Sequence, residues 1–309
     1  RPGKARYSAA RCSTGLMTAL RNWVSGARPR TLPAALSPVL VGTGAAAAVG
    51  GANPARAILA LIVAVALQIG VNYANDYSDG IRGTDSSRIG PLRLVGSGMV
   101  APETVRAAAF AAFAVASVAG IALVVLTGSW WLLGVGGLAL AAAWFYTGGK
   151  RPYGYHGLGE LSVFVFFGLV AVIGTTYVQV GRVTPASVVS GIAIGCLACA
   201  ILVANNLRDM AGDARSGKRT LAVYLGSRRT RLLFAVLLTV PYALALAVAV
   251  GGRVWAALAL LSFPVAARAA RPVLRGISGP GLLPVLRDSA LTELCYAALL
   301  ALGLAVSGS

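Results

Sequence analysis

Only nine of the 309 residues are Asp or Glu, so the position of each one is informative, and five of them fall into two clusters. Asp76, Asp79 and Asp85 belong to Asn72-Tyr73-Ala74-Asn75-Asp76-Tyr77-Ser78-Asp79-Gly80-Ile81-Arg82-Gly83-Thr84-Asp85. Asp209 and Asp213 belong to Asn205-Asn206-Leu207-Arg208-Asp209-Met210-Ala211-Gly212-Asp213. On helices, the i, i+3 spacing of Asp76 and Asp79 and the i, i+4 spacing of Asp209 and Asp213 put each pair on one face. Carboxylates with flanking amide oxygens suit Mg²⁺ or Mn²⁺, whereas the single histidine, His156, leaves no nitrogen set for zinc. Magnesium is commonly held by one or two carboxylates together with substrate phosphates. Cations stand ready for those phosphates: Arg82, Arg88 and Arg93 follow the first cluster, Arg215, Lys218 and Arg219 the second, and Lys150 and Arg151 lie between. Aspartate pairs beside basic loops describe a site for a metal-bound diphosphate.

The elements that must carry these clusters are membrane helices. Apolar types make up 57% of the chain and charged ones 12%, half the share usual in a soluble protein, with a net charge of +18. Apolar runs long enough to span the hydrocarbon core fall at roughly 31–50, 57–79, 103–126, 129–147, 159–180, 184–208, 232–251, 254–270 and 288–307. The eighth is the weakest, shortened by Pro264 and Arg268. The expected fold is therefore all-α: nine transmembrane helices around a central cavity in one domain, 31–309, behind a basic N-terminal segment, 1–30. Placing that segment on the same side as the loops near 80–106, 148–158, 208–231 and 268–287 gathers 24 of the 27 Lys and Arg there. The positive-inside rule makes that side, and the N-terminus, cytoplasmic. A nucleic-acid binder would not bury its basic segments between such runs, so no nucleic-acid partner is expected.

The topology sharpens the chemistry. Both clusters end inward-running helices, the second and the sixth, so a parallel repeat with its first motif at 72–85 and its second at 205–213 would bring them to one cavity. Carboxylates at helix C-termini oppose the exposed carbonyls unless a cation is bound. The remaining acids, Glu103, Glu160, Asp288 and Glu293, are expected in the first turns of outward-running helices, where the dipole favours them. Tyr146 and Tyr153, flanking Lys150, are the aromatic side chains best placed to shelter a carbocation by cation–π contact. Cys196 and Cys199 lie inside an apolar span and read as packing. Gly191 and Gly195 fit a close-packing helix motif. A transporter would set its acids near the membrane midplane, whereas these gather at one face, which favours an enzyme.

On these residues the chain resembles the UbiA superfamily of intramembrane prenyltransferases across nearly its whole length. Within it, the likeness is greatest to the branch that prenylates 1,4-dihydroxy-2-naphthoate in menaquinone synthesis. The first motif through Asp85, Arg88-Ile89-Gly90-Pro91-Leu92-Arg93, the second motif with Gly217-Lys218-Arg219-Thr220-Leu221, and Arg28-Pro29-Arg30-Thr31-Leu32 carry it. The resemblance implies that Asp76, Asp79, Asp209 and Asp213, with Asn72, Asn75 and Asp85, hold Mg²⁺ against a polyprenyl diphosphate. Asn205, Asn206, Arg82, Lys150, Arg151, Lys218, Tyr146 and Tyr153 would bind substrate, the cations stabilising the departing pyrophosphate. It also implies a naphthoate acceptor losing its carboxylate as CO₂, and a multi-pass protein of a bacterial cell membrane with its active site toward the cytoplasm.

Overall fold

The computed structural model describes residues 20–83 and 93–308, and among them every regular element is helical. We number the helices α1 (Pro33–Ala47), α2 (Pro54–Ile81), α3 (Pro102–Thr127), α4 (Leu132–Phe145), α5 (Gly159–Val180), α6 (Pro185–Arg215), α7 (Leu221–Val250), α8 (Val254–Leu274) and α9 (Gly279–Val306). Proline opens α1, α2, α3 and α6, where the missing N–H has no partner to lose. Asn53 caps α2, and a reciprocal Thr184–Ser187 capping box starts α6. Residues 20–27 form a further helical turn ahead of α1.

Seven of these helices are long and apolar enough to cross a bilayer. The other two, α1 and α4, stand at the first and fourth expected spans and have 15 and 14 residues. The exterior is apolar, with Val118, Leu138, Leu232 and Leu261 exposed, as a hydrocarbon solvent requires. Helix α8 opens as a 3-10 stretch, Val254–Ser262, before becoming α-helical, which is where Pro264 weakens its pattern. Asp288 is not in a first turn: it is buried and paired with Arg268 and Arg287. Glu293 likewise lies in mid-helix, fully buried, so the helix dipole does not account for it.

Helix α6 is the axis of the bundle: 72% of its apolar window is buried, against 28–50% for the other span-length helices. It packs along α7 and α5, while α2 lies along α3 and α1 is wedged between α9 and α5. The α5–α6 contact depends on glycine. A Cβ on Gly168 would come 2.5 Å from Gly195 Cα and 2.6 Å from the Gly191 carbonyl, both backbone atoms that cannot yield. The Gly191–Gly195 motif therefore does serve close approach, and Gly168 lies in a π-helical stretch of α5, Phe164–Val170. Gly168→Ala is expected to destabilise the protein by about 1–3 kcal/mol through overpacking, read as a lower thermal midpoint in detergent. This contact matters for function because α5 carries Glu160 to Asn206 on α6, 2.9 Å away.

Candidate active site

The first motif occupies the last turns of α2 and the second the last turns of α6. The loop between α4 and α5 joins them. Tyr155 in that loop donates its hydroxyl to Asp79 Oδ1 and accepts the Arg219 N–H on its carbonyl, 3.0 Å away. Arg82, from the first motif, lies 5.5 Å from the Tyr155 ring centroid, and Lys218, from beyond the second, lies 4.9 Å from it. Arg82 also donates to the carbonyls of Thr147 and Gly149, and Thr147 Oγ1 donates to Asn75 Oδ1 at 2.7 Å. One tyrosine thus gathers an acid and a cation from the first motif and a cation from the loop that follows the second.

The carboxylates of Asp76, Asp79 and Asp209 have each found positive charge or N–H donors, which answers the repulsion from the terminal carbonyls. Asp76 is fully buried, and its two oxygens accept the backbone N–H groups of Leu94 (2.8 Å) and Val95 (3.1 Å). Asp79 is buried and faces Arg93 at 3.5 Å. Asp209 is gripped by Arg208 through two bonds of 2.7 and 2.6 Å, and the same guanidinium donates to Asn205 at 2.9 Å. Asp213 is half-buried, and its carbonyl accepts the Lys218 N–H. Part of the charge compensation that spacing assigned to a metal is therefore supplied by Arg93 and Arg208.

The other expected residues divide. Asn72 is turned toward the N-terminal segment, donating to Ala27 O at 2.8 Å and Thr31 Oγ1 at 2.9 Å. Asn206 pairs with Glu160. Tyr153 donates to Ala142 O at 2.7 Å and bonds Ser162; burial raises its pKa, partly offset by the Ser162 bond, so it stays a neutral donor. Tyr146 stacks edge-on against Tyr153 at 5.5 Å, and its hydroxyl rests against Gly159. Lys150, Arg151 and His156 are exposed on the loop. Asp85 and Arg88 lie outside the described residues. The sequence reading missed Tyr155, Thr147 and the burial of Glu160. A second tyrosine in Tyr153-Gly154-Tyr155 was the only local signal, and spacing alone does not say which of the two faces the aspartates.

The donor chemistry fits magnesium in a specific sense. Among the described residues no three acidic, histidine or cysteine side chains converge on one point, so those residues build no closed protein cage. An all-oxygen set brought to one end of the bundle suits an ion that keeps several waters and takes other ligands from a diphosphate.

An all-helical apolar bundle with two aspartate motifs meeting at one end defines an intramembrane prenyltransferase. The chain belongs to the UbiA prenyltransferase family, whose model matches residues 35–278, and it is a multi-pass membrane protein. It is 53% identical over 293 residues to 1,4-dihydroxy-2-naphthoate octaprenyltransferase of Mycobacterium tuberculosis, covering 95% of this chain and 98% of that one. Among solved structures, the fold matches a UbiA homologue from Aeropyrum pernix with a TM-score of 0.67 at 17% identity, covering 87% of this chain and 97% of that one. It also matches a UbiA homologue from Archaeoglobus fulgidus bound to GPP and Mg²⁺, with a TM-score of 0.57 at 16% identity and coverage of 90% and 99%.

Proposed function

We propose that the protein transfers a polyprenyl group from polyprenyl diphosphate to 1,4-dihydroxy-2-naphthoate, with loss of the ring carboxylate as CO₂, releasing pyrophosphate and giving demethylmenaquinol. The observation that carries this reading is Tyr155, which bonds Asp79 of the first motif and holds Lys218 and Arg219 of the basic loop just beyond the second. The relationship to the mycobacterial octaprenyltransferase supports the choice of acceptor. In this proposal nine helices, including the short α1 and α4, cross a bacterial cell membrane around a central cavity, with the N-terminus and both motifs cytoplasmic. A polyprenyl chain would cost about 0.8 kcal/mol per CH₂ to carry into water, so a cavity within the bilayer keeps it in apolar surroundings.

Asp79, Asp209 and Asp213, with Asn75 and Asp85 nearby in sequence, would hold Mg²⁺, or Mn²⁺ in its place, with Asp76 behind them seating residues 93–95. The bound metal would supply Lewis-acid stabilisation of the charge that gathers on the leaving diphosphate. Arg82 and Lys218 share that charge from the two sides of Tyr155, and Lys150 and Arg151 approach it from the loop. Asn205 keeps Arg208 on Asp209, Asn72 anchors the N-terminal segment, and Tyr146 and Tyr153 present ring edges and faces to the allylic cation.

Purified protein supplied with Mg²⁺, polyprenyl diphosphate and dihydroxynaphthoate is expected to yield prenylated, decarboxylated naphthoquinol and pyrophosphate in equal amounts. Pyrophosphate release with no aromatic acceptor consumed, or none at all, would overturn the proposal. Tyr155→Phe keeps the ring between Arg82 and Lys218 but removes the donor to Asp79. A hydrogen bond to a charged group contributes about 1.5–3 kcal/mol, so the variant should need about 10- to 100-fold more Mg²⁺ or donor for half-maximal rate. Tyr155→Leu, which also removes the cation platform, should lose more.

A further inference from the structure

We propose that Glu160 binds the aromatic acceptor, its Oε2 oxygen accepting a hydrogen bond from a ring hydroxyl. The inference rests on the prenyl-transfer reading above and assigns a residue to the half of the reaction that the aspartate motifs leave unserved. A carboxylate in the first turn of a helix ordinarily faces water or caps the backbone. Glu160 is turned from water: it is 8% exposed, its own backbone N–H lies near the carboxylate, and Oε1 accepts from Asn206 Nδ2 at 2.9 Å. Oε2 is sealed from solvent without a hydrogen-bond partner. Native proteins seldom leave a buried carboxylate oxygen unmet, because the desolvation cost is then uncompensated.

Its position identifies the missing donor. Asn206 precedes Asp209 by three residues, so Glu160 lies about 4.5 Å further along the α6 axis, away from the motif-bearing end. Tyr146, whose hydroxyl rests against Gly159, is followed by Thr147, which bonds Asn75 and Arg82, so Glu160 lies beside residues that touch the first motif. In a bound donor the allylic carbon follows directly on the diphosphate. With the diphosphate at the level of the aspartates, that carbon and the ring that attacks it lie one level deeper, beside Glu160. Of the reactants only the acceptor brings a hydrogen-bond donor there. The prenyl chain has none, and diphosphate and ring carboxylate are both anions that Glu160 repels. As the ring is alkylated its hydroxyl becomes more acidic, so this hydrogen bond strengthens toward the transition state and raises kcat as well as affinity.

The test measures acceptor binding directly, by calorimetry on the full-length protein in detergent without metal or donor, alongside steady-state kinetics. Glu160→Gln presents an amide N–H₂ where Oε2 stood while its carbonyl keeps the Asn206 bond. Dihydroxynaphthoate should then bind at least tenfold more weakly, with the KM for polyprenyl diphosphate within twofold of wild type. On the wild-type protein, one of the two mono-O-methyl ethers of the acceptor should lose at least tenfold in affinity, and that discrimination should vanish in Glu160→Gln. Equal binding of both ethers and the parent compound by the wild type would overturn the assignment, and this measurement stands even if the variant fails to fold. So would equal weakening toward donor and acceptor in the variant, or ether discrimination that persists in it. Failure of the wild type to prenylate any naphthoate would overturn the parent proposal and this one together. Normal turnover without a selective change at the acceptor would remove Glu160 alone.

Discussion

Asp79→Asn and Asp209→Asn should each lower the rate of pyrophosphate release by about 10²–10³-fold, the scale of removing one group aimed at developing charge. Asparagine is the informative replacement because both aspartates already hold partners. Asp209 takes two bonds from buried Arg208. Alanine there would strand a buried guanidinium, and breaking a buried pair from one side costs about 3–5 kcal/mol, so lost activity would be confounded with lost fold. An asparagine carbonyl still accepts from Arg208, or from Tyr155 at position 79, while the negative charge is gone. The variants should therefore lose less thermal midpoint than the alanine replacements would, and lose magnesium-dependent turnover. Because the motifs act as one unit, the double variant should be scarcely slower than either single one. Full activity in either single variant, measured as pyrophosphate release in saturating Mg²⁺, would remove that carboxylate from the site.

Much of the architecture was legible from composition. Charge-free runs of span length and basic loops gathered on one side follow from bilayer physics, and the helices α2, α3, α5, α6, α7, α8 and α9 stand where such runs fall. The Gly191–Gly195 pair was legible for the same kind of reason, since small residues at that spacing let backbones meet, although its partner Gly168 carries no motif of its own. The site was legible only along each helix. Spacing grouped Asp76 with Asp79 and Asp209 with Asp213, but which oxygen meets which donor depends on the loop folded across the helix ends. That is why Tyr153 was singled out and Tyr155 was not. The structure gives Tyr153 to Ala142 and Ser162 and Tyr155 to Asp79. Asp288 and Glu293 were misread for a related reason: the dipole rule concerns the end of a helix, and both lie buried beyond the first turn, whereas Glu160 is in the first turn but turned from water.

Asp76→Asn should behave differently from its neighbours, losing stability first and activity as a consequence. Asp76 is fully buried, and its two oxygens hold the N–H groups of Leu94 and Val95. An asparagine has one carbonyl, so one of the two backbone donors would meet an N–H₂ group. A buried donor left unmet costs about 1–3 kcal/mol, and the charge-assisted character of both bonds is lost as well. The segment released is the one that matters for the site. Val95 lies so close over Gly80 that a Cβ there would be 2.4 Å from Val95 Cγ1, and Arg93 faces Asp79 at 3.5 Å. Freeing residues 93–95 therefore withdraws a cation from the first motif without touching the motif's own ligands. The expected result is a clear fall in thermal midpoint, faster proteolysis within residues 93–100, and a loss of kcat/KM that lower temperature partly restores. Asp79→Asn, which leaves the Leu94 and Val95 N–H groups on Asp76, should show the smaller fall in midpoint and no added proteolysis within residues 93–100. An Asp76→Asn protein that melts like wild type yet no longer responds to Mg²⁺ would place Asp76 at the metal and end its reading as the anchor of this segment.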